Sequence, residues 1–272
     1  MRIFNSIQEF NEVKDSLGKL SFIPTMGNLH RGHISLVDIA KQFKNKIIAS
    51  IYVNKLQFND NNDYLNYPKT LNADIKLLEK HGCDYVLIPD DSILDNIQKI
   101  QAPLKSKKLC GGSRPGHFDG VLTILNKFFE IIDPSIVVFG KKDYQQFILV
   151  RDFIKNNNLN IEIIGGNTIR ESSGLALSSR NNLLSNKEKL IASKLYEVLV
   201  DIESKKANLD LDLLNSKIDY LESFGINIDY LISCDPESFK ESYEINNKDL
   251  LIAIAVYVGK VRLIDNLKLT KL

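Results

Sequence analysis

Short apolar runs rich in isoleucine and valine recur through the first two-thirds of the chain, and this alternation constrains the fold more than any other feature. The runs are Leu20–Pro24, Lys46–Val53, Asp84–Pro89, Ser135–Gly140 and Asn160–Gly165. Between them, Ile34–Phe43, Leu71–His81, Gly120–Ile132 and Asp143–Asn156 carry apolar residues at three- and four-residue spacing. Near-continuous apolar strands separated by amphipathic helices are what a parallel sheet covered on both faces requires. The reading is an α/β fold, a Rossmann-like doubly wound parallel sheet. After about Arg180 the rhythm changes to helix, helix, strand and hairpin, so a smaller α+β domain is expected over 176–272, behind a first domain over 1–175. Ser185 and Glu188 have capping-box spacing and would start a long helix to about Lys205. Leu209–Phe224 reads as another helix, and Ile226–Ser233 and Leu250–Leu263 as strands, with a turn at Gly259-Lys260.

Composition excludes several classes. With 272 residues the chain can bury a full core without disulfides. Its 35 Lys and Arg against 34 Asp and Glu leave a net charge of +1, so there is no basic field to hold nucleic acid or anionic lipid. The longest apolar run, Leu250–Val258, is too short to span a bilayer. Glu9 stands where a secretory signal would need its apolar stretch, and a cytoplasmic protein is expected. Cys83, Cys110 and Cys234 are widely spaced and form no CxxC, which suggests neither a disulfide framework nor a zinc–thiolate site.

Two segments, Asn54–Thr70 and Gln101–Asp119, are too long and polar for simple connectors and read as binding loops or lids. No GxGxxG follows the first run and no GxxxxGK[ST] occurs. The first run instead enters Pro24-Thr25-Met26-Gly27-Asn28-Leu29-His30-Arg31-Gly32-His33, which opens a helix. A glycine turn at a helix start aims backbone N–H groups and the positive helix end at an anion, and histidines three apart share a face there. Taken alone, the pair has three readings: half a zinc site, two capping histidines, or two phosphate donors.

This decapeptide resembles the nucleotide signature of the pantothenate synthetase family, a variant of the HxGH motif of the wider nucleotidyltransferase superfamily. Further segments are similar to that family's motifs, in the same order: Ser50–Phe58, Tyr67–Leu71, Arg114–Val121, Phe139–Gln146 and Arg170–Asn181. The last third of the chain has no comparable signature. The resemblance implies ATP-dependent joining of pantoate to β-alanine through a pantoyl adenylate, with release of pyrophosphate and AMP, in pantothenate and coenzyme A biosynthesis. It implies ATP as co-substrate, Mg2+, and a homodimer.

Residue by residue, the resemblance assigns His33, His30 and Lys142 to catalysis, with His33 as the acid. It assigns the nucleotide to Met26, Gly27, Asn28, Leu29, His30, Arg31, Gly32 and His33. Gly140, Lys141, Lys142 and Asp143 follow, then Ile169, Leu177, Ser178, Ser179 and Arg180. Asp143 would hold a ribose hydroxyl or help arrange magnesium. Gln57 and Gln146 are the pantoate and β-alanine residues, since an amide offers both donor and acceptor to a hydroxy acid. Asp74 is a metal candidate whose bland alternative is a solvated helix carboxylate, and Arg114 would either close over phosphates or lie idle on the surface. The chain departs from the family pattern at Lys55 for proline, Lys141 for glutamate and Leu177 for methionine. Two rival readings are another HxGH nucleotidyltransferase, which would not keep both glutamines, and a silent ATP-binding regulator, which would need no acid.

Overall fold

The structure is a computed structural model that describes residues 1–272. In chain order it contains β1 (Arg2–Phe4), α1 (Ile7–Asn11), β2 (Leu20–Thr25), α2 (Arg31–Ala40), β3 (Lys46–Ile51), α3 (Asn61–Leu65), α4 (Leu71–Lys80) and β4 (Tyr85–Leu87). Then come α5 (Cys110–Ser113), α6 (His117–Ile132), β5 (Ile136–Gly140), α7 (Tyr144–Asn156), β6 (Glu162–Gly166), α8 (Asn186–Ala192), α9 (Lys194–Ser204), α10 (Leu211–Glu222), β7 (Asn227–Cys234), β8 (Leu250–Val258) and β9 (Val261–Leu269).

The chain divides into two compact units. The first comprises Met1–Ser106, Arg114–Lys141 and Gln146–Asn167, and the second Lys107–Ser113, Lys142–Gln145 and Thr168–Leu272. In the first, all strand pairs are parallel, in the order β1-β4-β3-β2-β5-β6. Residues alternate between the two faces of each strand, as the pleat demands. Ile47, Ala49 and Ile51 of β3 and Ile23 of β2 pack with Leu36 and Val37 of α2 on one face. On the other, Phe22 of β2 meets Phe128 of α6, ring centroids 5.5 Å apart. The sheet is therefore doubly wound, as the apolar periodicity predicts. The strand β1 escaped the sequence reading because three residues on an edge carry no legible alternation.

From β2 the chain proceeds to β3 and β4 on one side and later to β5 and β6 on the other. Ligands of open α/β sheets bind outside the carboxyl ends of strands where the order reverses in this way. The signature after Thr25 and the Gly140-Lys141 corner after β5 both leave such strand ends.

In the second unit β7, β8 and β9 form an antiparallel sheet. Leu195, Val198 and Leu199 of α9 and Leu214 of α10 share its core with Ile252 and Ile254 of β8. The Ser185–Glu188 capping box is present, Ser185 accepting from Glu188 N at 3.3 Å while its own N–H donates to the Glu188 carboxylate at 2.8 Å. The long helix expected after it is broken at Ser193, whose hydroxyl donates to the Leu190 carbonyl at 2.8 Å and so draws off a backbone acceptor. The strand expected over Leu250–Leu263 is the hairpin β8–β9, turned at Gly259-Lys260.

Candidate active site

At the end of β2 the backbone turns through two left-handed residues, Gly27 (φ +82°) and Asn28 (φ +50°). Any side chain at position 27 would press on Ile51 at 3.2 Å and on the Asp74 carboxylate at 3.1 Å. The left-handed φ favours glycine, and the tight neighbours add to that preference. Asp74, which the sequence offers as a metal ligand or solvated helix carboxylate, is only 2% exposed. Its oxygens accept from Asn28 N at 2.9 Å and Leu29 N at 2.8 Å, and from the Thr70 hydroxyl at 3.0 and 3.1 Å. Such a carboxylate fixes a turn.

His30 is the N-cap of α2. Its Nδ1 accepts from Gly32 N at 3.1 Å, while Nδ1 of His33 accepts from His30 N at 3.2 Å, a capping box built from two imidazoles. The ring centroids lie 4.2 Å apart. An Nδ1 that accepts is unprotonated, so the ring proton sits on Nε2 of each histidine. Both rings thereby hold the helix end and keep an N–H donor on the opposite edge. Capping and phosphate donation are compatible here, although the spacing alone offers them as alternatives. Met26, Leu29 and Gly32 are half-buried in the same turn, and Arg31 is exposed.

The 3₁₀ turn Lys55–Gln57 presents Gln57. Asn54, 2% exposed, caps it by accepting from Leu56 N at 3.2 Å. The Asn54 amide donates to Gln57 Oε1 at 3.0 Å and to the Gly120 carbonyl at 3.1 Å. With Oε1 so engaged, the donors that Gln57 has to offer are those on Nε2. A Cβ at position 120 would fall 2.1 Å from the Leu56 carbonyl oxygen, so only glycine lets α6 approach this turn. Arg114 does not lie idle. It donates to His117 Nε2 at 3.2 Å and to the Gln57 carbonyl at 3.3 Å. Arginine can only donate, so His117 accepts at Nε2 and donates from Nδ1 to the Gln57 carbonyl at 2.7 Å. Asn54 and His117, which hold the Gln57 turn, are not singled out by the sequence reading. Both lie inside the recognised motifs and each has a partner three residues away, Gln57 for Asn54 and Arg114 for His117, but the bonds that tie them to other elements run 66 and 60 residues along the chain, beyond any local signal.

Gln146 lies half-buried near the start of α7 in the first unit, as do Gly140 and Lys141 at the corner after β5. Lys142, Asp143, Ile169, Leu177, Ser178, Ser179 and Arg180 belong to the second unit. There Lys142 Nζ lies 3.8 Å from the half-exposed Asp143 carboxylate. Ser178 starts a 3₁₀ turn over Ser179–Leu183 by accepting from Arg180 N at 3.3 Å. No group of three or more His, Cys, Asp or Glu side chains could hold a metal ion. Asp74 already accepts from three donors, two backbone N–H groups and the Thr70 hydroxyl, which commits it to the turn rather than to a magnesium cage. No helix is long and apolar enough to cross a membrane.

A doubly wound sheet with a glycine turn, a capped helix start and two imidazole donors at the switch strand defines a nucleotide-handling α/β enzyme. The chain belongs to the pantoate-beta-alanine ligase family, whose model matches residues 2–268. It is 38% identical over 277 residues to the pantothenate synthetase of Thiobacillus denitrificans, covering 99% of this chain and 98% of that protein. To that of Thermosipho melanesiensis it is 41% identical over 255 residues, 92% and 91% of the two chains. Among solved structures, the Thermus thermophilus pantothenate synthetase superposes with a TM-score of 0.92 at 32% identity, covering 98% of this chain and 99% of that one. The Francisella tularensis pantoate-beta-alanine ligase, solved with beta-gamma ATP and beta-alanine, gives 0.83 at 37% identity over 98% and 97%. The protein is a ligase of this family.

Proposed function

We propose that the protein joins pantoate to β-alanine in two steps at the expense of ATP. In the first, a pantoate carboxylate oxygen attacks the α-phosphorus, the bond to the bridging oxygen breaks, and pyrophosphate leaves with the electron pair. In the second, the β-alanine amine attacks the acyl carbon of the mixed anhydride. AMP departs, the nitrogen loses its proton, and the amide remains. The observation that carries this reading is the double role of His30 and His33. Their Nδ1 atoms are committed to the start of α2, so two neutral Nε2–H donors stand beside the positive end of that helix. Donors held before the reaction are what an attack between two anions needs, because charge accumulates on the phosphoryl oxygens in the transition state.

His33 acts as the donor to that phosphoryl group, His30 beside it, and Lys142 as a further cation on the phosphates. Gly140, Lys141, Asp143 and Ile169, with Leu177 through Arg180, serve the nucleotide. Gln57, its Oε1 already held by Asn54, offers its amide N–H groups to pantoate, and Gln146 supplies the second amide. Magnesium enters on the triphosphate as part of the substrate, and Asp74 orders the signature turn. The family resemblance supports a cytoplasmic homodimer as the working form.

Exchange of labelled pyrophosphate into ATP tests the order of chemistry. With magnesium and pantoate, and no β-alanine, exchange is expected. Exchange that strictly requires β-alanine would argue against a separate adenylate. Equal exchange with unrelated acids would remove pantoate as the substrate.

A further inference from the structure

The last strand of the chain lies outside every recognised motif, yet two of its neighbouring residues reach segments that serve the nucleotide in the reading above. Successive side chains of a strand point to opposite faces. On one face Asp265, 4% exposed, takes both ends of the Arg170 guanidinium, Nη2 at 3.0 Å from Oδ1 and Nη1 against Oδ2. Arg170 Nη1 also donates to the Gly174 carbonyl at 3.1 Å, and the guanidinium carbon lies 3.9 Å from the centre of the Tyr196 ring. A fork held at both nitrogens and stacked on a ring has one orientation. It closes a loop in which Arg170 bridges Ala176 and Leu177 N donates to the Ile169 carbonyl at 2.9 Å. That loop leads directly into Ser178, Ser179 and Arg180. On the other face Asn266 Nδ2 donates to the Lys142 carbonyl at 2.7 Å.

We propose that Asp265 and Asn266 of β9 are positioning residues for adenylation. Asn266 holds the backbone from which Lys142 reaches the phosphates, and Asp265, through Arg170, sets the Leu177–Arg180 segment. The inference rests on the proposed function, and neither residue touches substrate. Strand β9 suits the task because its partner β8 is buried along almost its whole length, so a side chain anchored on β9 stands on the rigid part of the second unit. Misplacing a reacting or charge-stabilising group by about 1 Å costs up to ~10²-fold in rate, which leaves room for a remote anchor to matter.

The test uses the full-length protein and pantoate-dependent pyrophosphate–ATP exchange. Asn266→Ala is expected to lower kcat about three- to tenfold, the effect of one lost neutral hydrogen bond, with the pantoate KM unchanged and the unfolding midpoint lowered only by the small amount that one such bond contributes. Lys268→Ala, on the same face two residues on and paired only with Asp249 at the surface, is expected to exchange like the unsubstituted protein. Arg170→Lys keeps the charge but loses the fork, and is expected to raise the ATP KM while sparing that for pantoate. If Arg170→Lys does not fold, Asn266→Ala decides alone. Wild-type exchange by folded Asn266→Ala overturns the inference and leaves the proposed function standing. So does an equal loss toward both substrates that simply tracks the fraction of protein unfolded under the assay conditions. Absence of exchange in the unsubstituted protein overturns the proposed function, and this inference with it.

Discussion

At the residue scale, the informative atoms are the ring nitrogens of His30 and His33. Each ring spends Nδ1 on a backbone N–H, so replacing either with alanine removes a cap as well as a donor. The two losses can be separated. His33→Gln keeps a side chain that reaches back to the N-cap N–H, as glutamine does in ordinary capping boxes, but lacks the imidazole donor. It is expected to unfold at nearly the wild-type midpoint and to be slower in pyrophosphate exchange by at least ~10²-fold, the usual effect of losing one preorganised donor. His33→Ala should be equally slow and less stable by about 1 kcal/mol. Wild-type exchange by His33→Gln would reduce the histidine to a cap. The spacing of the two histidines is legible in the sequence, whereas the use of each nitrogen is not, because it depends on where the backbone N–H groups of the turn point. The same holds for Asp74, whose place on an amphipathic helix suggests exposure until its partners, 45 and 46 residues away, are known.

At the element scale, the 3₁₀ turn Lys55–Gln57 shows how the chain manages without the family's proline. A proline would hold φ at this position covalently. Here Lys55 Nζ pairs with Asp91 at 3.0 Å, and the buried Tyr52 donates its hydroxyl to the same carboxylate at 3.0 Å. The tie lies near the surface, and exposed pairs are worth about 1 kcal/mol or less, so it is a weaker restraint than a ring. The hydrogen bond from Lys55 holds the Asp91 carboxyl below its ordinary value of 3.8. A depressed carboxyl contributes stability that is fully present above its unfolded value and is lost as pH falls through the lower folded one. The gap in urea midpoint between the wild type and Asp91→Asn is therefore expected to be constant above pH 5, to close as pH falls below about 4, and to shrink in 1 M salt. A gap that persists at pH 2 would show that the effect is not the ion pair. The sequence marks Lys55 as a departure, but its compensation comes from Asp91, 36 residues away in a separate turn.

At the scale of the whole molecule, all three thiols are buried, Cys83 in the first compact unit and Cys110 and Cys234 in the second. Burial pushes the Cys83 and Cys234 thiols up to about 12 from an ordinary 9.0. In the unfolded chain they ionise near 9, and in the folded protein they do not. The stability they contribute is complete below 9 and is lost as pH rises toward 12. Urea midpoints are expected to hold from pH 6 to 8 and to fall at pH 10, with a shallower fall in the Cys83→Ala, Cys234→Ala double variant. Identical slopes in the two proteins would assign the alkaline loss to other groups. A thiol reagent added at pH 8 should modify these two cysteines only as fast as the protein opens.

The sequence by itself determined the periods, and with them the doubly wound sheet, the smaller α+β portion, the capping box at Ser185 and the positions of the motifs. Those features depend on residues within about one helical turn or one pleat of each other, so they are written locally. Tertiary structure alone decided which distant groups meet. It joined Lys107–Ser113 and Lys142–Gln145 to the second unit, brought the Asp74 carboxylate under the signature turn, and set Asn54 against Gly120. It also gave the unmarked strand β9 its hold on Arg170 and Lys142. These contacts join donors to acceptors supplied from other elements, buried at Asp74 and Gly120 and half-buried at β9. Leaving a buried one unpaired would cost about 1–3 kcal/mol, so the packed whole selects partners that no local pattern names.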